Sequence, residues 1–513
     1  MKILGQSFRQ RVWQGIAVAG VMLAAQGATP GARAQTSPVI VEVDAAATGH
    51  NFPHYWEKMF GSGRAILSLR ENYRHDLRET KRITDFEYVR FHAIFHDEVG
   101  FYDEDKDGTP QYNFSYVDQI YDGLLENKVR PFIELSFMPK KMTSDPNAVH
   151  AFWYKQNVAP PKDWNKWEQL IEKFTRHLVE RYGIEEVAQW YFEVWNEPNI
   201  DFWVGNPKDT TYFELYDHAA AAVKRVNARL RVGGPSTAQA AWADKFLAHC
   251  KEKNVPVDFV STHVYGNDKA EDVFGTHEDI KRNQMVCRAV KKVHEQIAAS
   301  PYPGMPLIWS EYNAAYDNNP VVTDAAYMGP FLANTIRECD GLTTMMSYWS
   351  LSDVFEEQGV VKKPFYGGFG LLAAGSIPKA AFNDFALLHR LGETRLDVKS
   401  DNVLVTRRKD GSLAIAVWNL FLPEETGTAK TVTLKFSGMK MGKTARLTVV
   451  DREHGSPVPA YEKMGSPEFP SREQIVELRK AAELPAAEKV AIKNGEITLT
   501  LHPHSLALIE VAK

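Results

Sequence analysis

The chain has 513 residues and carries 60 Lys and Arg against 65 Asp and Glu, a net charge of −5. Its 44% hydrophobic and 24% charged residues are ordinary globular usage, which excludes disordered, collagenous and coiled-coil chains, and the length suits two or three domains. Three cysteines, none in a Cys-x-x-Cys pair, exclude a disulfide framework and argue against a structural zinc site, while the slightly acidic balance without a basic run makes nucleic acid a poor partner.

In chain order, Lys2, Arg9 and Arg11 precede an apolar stretch over 16–25, and Ala32-Arg33-Ala34 is an A-x-A site. That layout predicts a secretory signal peptide over 1–34 and an exported protein, periplasmic or secreted from a bacterium. Without it the chain carries 56 basic against 65 acidic residues, a net −9. No later stretch reaches the roughly 18 apolar residues of a membrane span.

Short β-rich runs then alternate with helix-period segments. Strands are predicted near 60–65 and over 88–94, 130–137, 190–195, 230–233, 258–264, 307–312 and 343–350. Helices are predicted over 164–182, 212–227, 278–299 and 323–338. Eight such units predict an α/β fold, a (β/α)8 TIM barrel over 50–393. Beyond Gly392, alternating runs at 403–408, 413–420, 431–436, 444–451, 497–501 and 505–511 predict an antiparallel β-sandwich over 394–513. A strand within 35–49 is expected to pack on it. Residues 452–490, with a helical patch at 473–484, read as an excursion on the sandwich.

Barrel enzymes work at the C-terminal ends of their strands. Two predicted strands end in glutamate: Phe192-Glu193-Val194-Trp195-Asn196-Glu197-Pro198-Asn199 and Leu307-Ile308-Trp309-Ser310-Glu311-Tyr312-Asn313. Pro198 stops the ladder, so Glu197 is expected to project into the mouth. Strands 4 and 7 lie across the barrel from each other, so Glu197 and Glu311 can face one another. Two facing carboxylates are what glycoside hydrolysis requires, retaining at about 5–5.5 Å and inverting at about 6.5–9.5 Å.

Further stretches accompany this pair: Arg90-Phe91-His92, His96-Asp97-Glu98-Val99-Gly100, Arg130 to Leu135 with Phe137-Met138-Pro139, and Gly233-Gly234-Pro235. Ser261-Thr262-His263-Val264-Tyr265, Ser347-Tyr348-Trp349 and Ser352 to Gly359 complete the series. In this order they resemble glycoside hydrolase family 39 of clan A, and within it the β-xylosidases; the α-L-iduronidase branch is less similar around Asp353–Gly359.

The resemblance implies Glu197 as general acid/base and Glu311 as nucleophile of a retaining, exo-acting β-xylosidase that needs no cofactor or metal. It implies substrate-binding roles for His92, Asn196, His263, Tyr265, Trp349 and Glu357, with Arg90 supporting the nucleophile and keeping it ionised. Phe152 or Trp153 is expected to wall the aglycone side. The structural alternatives are that Arg90 simply pairs with a buried acid, that Trp349 belongs to the core, and that His263 is a hydrogen-bonded barrel histidine. Of the adjacent Glu356 and Glu357 at most one should face the sugar, and the motif favours Glu357. Both would repel a uronate, which favours a neutral sugar. An arabinosyl or uronosyl glycosidase, or a non-catalytic carbohydrate-binding barrel, are the alternatives. The expected partner is a small oligosaccharide; the oligomeric state is not legible.

Two other patterns fail. Asp103-x-Asp105-x-Asp107-Gly108 begins like a calcium loop, but Phe114 stands where the bidentate Glu belongs. Gly368-Phe369-Gly370-Leu371-Leu372-Ala373 does not open a helix after a strand, as a dinucleotide fingerprint must. Cys250, Cys287 and Cys339 read as buried thiols.

Overall fold

A computed structural model describes residues 38–438 and 442–513, so the expected export segment lies outside the described residues. Eight parallel strands close into a barrel: β1 Met59–Arg64, β2 Tyr88–His92, β3 Arg130–Leu135, β4 Tyr191–Val194, β5 Arg231–Thr237, β6 Phe259–Tyr265, β7 Leu307–Asn313 and β8 Met345–Tyr348. The main helices between and after them are α1 Glu71–Ile83, α2 Ser115–Glu126, α3 Trp164–Tyr182, α4 Lys208–Val226, α5 Ala243–Lys253, α6 Arg282–Ala298, α7 Met328–Cys339 and α8 Ala380–Leu388.

α3 shows why the helices form where they do. Asp163 caps it, accepting from the Asn165 and Lys166 backbone N–H groups at 2.9 and 3.3 Å, and Gly183 at φ +81° ends it. Trp167, Leu170, Ile171, Phe174 and Leu178 recur at helical spacing and are all buried. Each such side chain contributes about 1.5–3 kcal/mol by leaving water.

Strand alternation layers the barrel interior. Met59, Tyr88, Phe132, Phe259, Ile308 and Met345 form an apolar plug at the N-terminal ends of their strands. Two residues further along come Gly61, Arg90, Glu134, Ser261, Ser310 and Ser347, and Glu193 likewise follows Tyr191. The period of two thus replaces hydrocarbon by charged, hydroxyl and small residues one layer higher. β7 departs from the pattern. Its register with β6 shifts between Thr262 and His263, pairing His263 with Glu311, so Ser310 and Glu311 both engage interior residues although simple alternation puts them on opposite faces.

The C-terminal region has two sheets. The larger holds seven strands in the order His50–Asn51, Thr394–Leu396, Val403–Arg407, Leu413–Asn419, Ser505–Val511, Thr444–Val450 and Glu488–Ala491. The smaller holds Val39–Asp44, Lys430–Ser437 and Glu496–Leu501, and its first pair is parallel. Val405, Ile415, Val417 and Ile509 of the large sheet share a core with Val41, Val432 and Leu499 of the small one. The opposite face, with Leu404, Ala416, Trp418 and Leu508, joins the barrel core. Leu413–Asn419 is therefore buried on both faces, which explains its unbroken apolar run.

Residues His50 and Asn51 pair with Thr394 and Arg395, so the chain serves this sheet before it enters the barrel. The 452–490 excursion lies elsewhere than expected. Tyr461 and Leu478 pack on Phe365, Ala373 and Ile377 from the segment after β8, because those apolar side chains have no cover of their own. Among the described residues no helix is long and apolar enough to cross a membrane.

Candidate active site

The C-terminal ends of the barrel strands surround a cleft of about 420 Å³ lined by His92, Asn196, Glu197, Tyr265, Glu311, Trp349 and Glu357. Arg90 and His263 lie directly beneath it, fully buried. All nine expected site residues are therefore gathered at one end of the barrel.

Glu197 reaches the cleft because the chain leaves β4 through left-handed residues, Trp195 at φ +71° and Glu197 at φ +46°. Its N–H donates to the Ser236 carbonyl at 2.7 Å, which holds the turn. A non-glycine residue in this region is strained and persists only where its surroundings enforce it. Glu311 stays in β7 and is gripped from two sides. Arg90 Nη1 donates to its Oε1 and the Tyr265 hydroxyl to its Oε2, both at 2.6 Å. One oxygen each of Glu197 and Glu311 lie within 4.8 Å of one another.

Arg90 also bonds Glu193 Oε2 at 2.6 Å, Glu134 Oε2 at 2.7 Å and Asn196 Oδ1 at 2.9 Å. It therefore pairs with buried acids and braces Glu311 at once, and the two sequence readings coincide. Guanidinium offers donors only, so it fixes the Asn196 carbonyl toward itself and leaves the amide NH₂ to the cleft. Glu134 in turn receives His92 Nδ1 at 2.7 Å, orienting that ring. Glu134 and Glu193 were not singled out by the sequence; each follows an interior aromatic by two residues, the signal that could have found them.

His263 is corrected. Its side chain is fully buried, with Nδ1 3.0 Å from Glu197 Oε1 and Nε2 3.1 Å from Ser310 Oγ, so no ring nitrogen is left for a sugar. It positions Glu197, as a hydrogen-bonded barrel histidine. Burial, with the Arg90 and His92 charges, drives its pKa far down, so the ring is neutral.

The two cleft glutamates differ electrostatically. Burial, followed by the charges of Glu311 and Asp268, pushes Glu197 well above the usual carboxylate range. Burial also raises Glu311, but Arg90, His92 and the Tyr265 hydroxyl all pull it back. Glu311 is the group that ionises first, and Glu197 keeps its proton. Asp268, a residue the sequence reading missed, sits in the cleft wall and accepts the Tyr265 N–H at 2.8 Å; burial takes its pKa to about 7.

Trp349 is only 2% exposed yet lines the cleft, with its ring 4.8 Å from His92, so it is both core and floor. Gly61 makes this possible, since a Cβ there would collide with the indole. Glu356 turns away at φ +61° into a cage of Arg64 and Arg70, with Nη2 atoms at 3.3 and 3.1 Å from its Oε2. Glu357 alone of the two enters the cleft, and burial and the Glu311 charge raise its pKa well above normal. Glu356 is thus offset by two arginines and Glu357 is biased toward its neutral acid, so the repulsion of a sugar carboxylate expected from this pair is weakened at both positions. Phe152 lines the outer wall, while Trp153 packs outside the cleft near Arg64, 5.5 Å from its ring.

The chain is similar to known proteins over nearly its whole length. The chain is 38% identical over 472 residues to a β-xylosidase of Geobacillus stearothermophilus, covering 90% of this chain and 93% of that one. It is 37% identical over 477 residues to a β-xylosidase of Caldicellulosiruptor saccharolyticus, covering 89% and 95%. The crystal structure of a monomeric β-xylosidase from Caulobacter crescentus CB15 superposes with a TM-score of 0.82 at 33% identity, covering 92% of this chain and 99% of that one. Residues 39–498 match the glycosyl hydrolases family 39, and with the barrel and its paired glutamates already in place, the chain belongs to that family and is a glycoside hydrolase.

Proposed function

We propose that this glycoside hydrolase is an exo-acting β-xylosidase that releases terminal β-D-xylosyl residues from xylo-oligosaccharides with retention of anomeric configuration. The observation that carries the retaining reading is the short gap between Glu197 and Glu311, whose nearest oxygens lie within 4.8 Å. A gap that short supports the roughly 5–5.5 Å class, since the wider class must admit a water between the carboxylates. The named relatives support xylose as the sugar.

In the first step a Glu311 oxygen attacks the anomeric carbon while Glu197 gives its proton to the departing glycosidic oxygen. The bond to the aglycone breaks and a glycosyl ester of Glu311 forms. Esterification removes the Glu311 charge that had raised the Glu197 pKa, so Glu197 is now ready to act as base. It takes a proton from water, the hydroxide attacks the anomeric carbon, and the ester opens to free sugar and carboxylate. The Asn196 amide is placed to donate to the sugar 2-hydroxyl, where hydrogen bonds tighten in the oxocarbenium-like transition state. Trp349 is the apolar platform under the ring, and Glu357 and His92 take hydroxyls.

Residues 52–393 are the catalytic unit and 394–513, with the strands before the barrel that pair into its sheets, the supporting one; we further propose that the protein is exported. The test is turnover of p-nitrophenyl β-xyloside beside the α-arabinoside, β-glucoside and α-iduronide, with Glu311→Ala and Glu197→Ala as controls. NMR of the first-formed sugar reads its anomer. Strong β-xyloside turnover giving β-xylose first, abolished in Glu311→Ala, is expected. Preference for another glycoside would overturn the sugar, and α-xylose as first product would overturn retention.

A further inference from the structure

At the opposite end of the barrel, His54, Glu57 and His389 converge, each offering one ligand atom within 4.8 Å of the others. Glu57 is 2% exposed and precedes β1, while His389 sits at the C-terminal end of α8. Both imidazoles aim Nδ1 at the same oxygen, Glu57 Oε1, at 2.8 Å from His54 and 2.9 Å from His389; Oε2 lies 3.1 Å from His389 Nδ1. We infer that these three residues form a divalent-cation site of zinc type, which staples the entry of the first barrel strand to the last barrel helix.

Two imidazoles and one carboxylate are the donor set of His₂Glu zinc sites, which keep a fourth position for water. Tetrahedral zinc with bonds of about 2.0–2.2 Å spaces neighbouring ligand atoms about 3.3 Å apart. The two nitrogen–oxygen spacings of 2.8 and 2.9 Å need to open by only a few tenths of an ångström, and the ligand atoms of all three residues lie within 4.8 Å of one another. The His54 Nε2 atom is buried without a partner whether a proton or a metal sits on Nδ1, and it does not discriminate between them.

The surroundings suit a cation. The three residues border a cavity of about 780 Å³ whose wall also carries Asp85 and Glu87, with room for the completing water. Arg390 and Arg408 share the single carboxylate of Glu510, the latter at 2.7 Å, which offsets one of their two charges. The remaining cations of the wall, Lys58 and Lys409, are matched by Asp410 and Glu393 as well as by Asp85 and Glu87. The absence of paired cysteines speaks only to thiolate sites. Glu57 and His389 lie 332 residues apart, so no spacing in the sequence announces this one. At the N-terminal ends of the strands the metal stands apart from the cleft and would act on stability, not on the chemistry.

The test uses the full chain, stripped with chelator and titrated with Zn²⁺ by calorimetry, with bound metal read by mass spectrometry and the melting temperature recorded. One zinc per chain and a raised melting temperature are expected, both lost in Glu57→Gln and His389→Ala, with kcat on the β-xyloside unchanged by zinc removal. His389→Asn, at a partly exposed position, serves if the alanine variant is misfolded by circular dichroism. The proposal is overturned if no zinc binds, or if His389→Ala or His389→Asn binds as much as the parent, which would move uptake to the other convergent set, Glu197, His263 and Glu311.

Discussion

Tyr265→Phe isolates one of the forces that hold Glu311 ionised. The hydroxyl donates to Glu311 Oε2 at 2.6 Å in a buried setting, and among the described residues it has no other partner, so removing it orphans no other group. A hydrogen bond to a charged group is worth about 1.5–3 kcal/mol, and about 1.36 kcal/mol corresponds to one pKa unit. The lost donor favoured the carboxylate form, so the Glu311 pKa rises by about one to two units in the variant. The acidic limb of kcat/KM on p-nitrophenyl β-xyloside should therefore move to higher pH by that amount. The limbs are macroscopic properties of the coupled pair, but the alkaline limb follows loss of the Glu197 proton and should stay nearly in place. The assay is a pH profile from pH 4 to 9 for both proteins, with circular dichroism to establish the fold. An acidic limb that does not move in a folded variant would refute the assignment of Glu311 as the ionised group steadied by Tyr265.

Glu197→Gln should lower kcat/KM on xylobiose by about 10²–10⁴-fold and remove the alkaline limb, with a smaller loss on a dinitrophenyl xyloside, whose leaving group needs no proton. Equal losses on both substrates would contradict a general acid. Gly61→Ala drives a methyl into the Trp349 indole, so it should cost about 1–3 kcal/mol in urea melts and raise KM by tilting the cleft floor. Lys379→Met removes the ammonium lying 2.7 Å from Asp324 and 2.8 Å from Asp353, leaving two buried carboxylates uncompensated at a cost of about 3–5 kcal/mol. Burial already lifts Asp353 to about 6, and without Lys379 both acids rise further. Acids with raised folded pKa values favour the folded state at low pH and oppose it as pH climbs through those values, so the deficit should be smaller at pH 5 than at pH 8.

Much of the barrel could be read from the chain because its signals are local. Each strand is a short β-rich run, and α3 carries its cap at Asp163, its apolar stripe and its stop at Gly183 within twenty-one residues. Glu197 and Glu311 stand at strand ends in a fold whose strands all point one way, so position along the chain implies position in space. Where that logic was applied to side-chain direction it was less secure. Alternation places Ser310 and Glu311 on opposite faces, and only the register shift against β6 lets Ser310 meet His263 while Glu311 meets Arg90 and Tyr265.

What the sequence by itself determined is therefore the succession of elements, the closed parallel barrel they build and the end at which its polar residues gather. Tertiary structure decided the pairings. Arg90 is shared among Glu134, Glu193, Glu311 and Asn196, which come from three further strands or their ends. His263 spends both nitrogens beneath the cleft, Glu356 turns into Arg64 and Arg70 while its neighbour enters the cleft, and Trp349 fits only because Gly61 has no side chain. Periodicity and capping act within a turn or a strand and leave their mark in adjacent letters. Desolvation and charge pairing act between atoms a few ångströms apart whose residues stand from about forty to nearly three hundred positions apart, and those distances exist only once the barrel has closed.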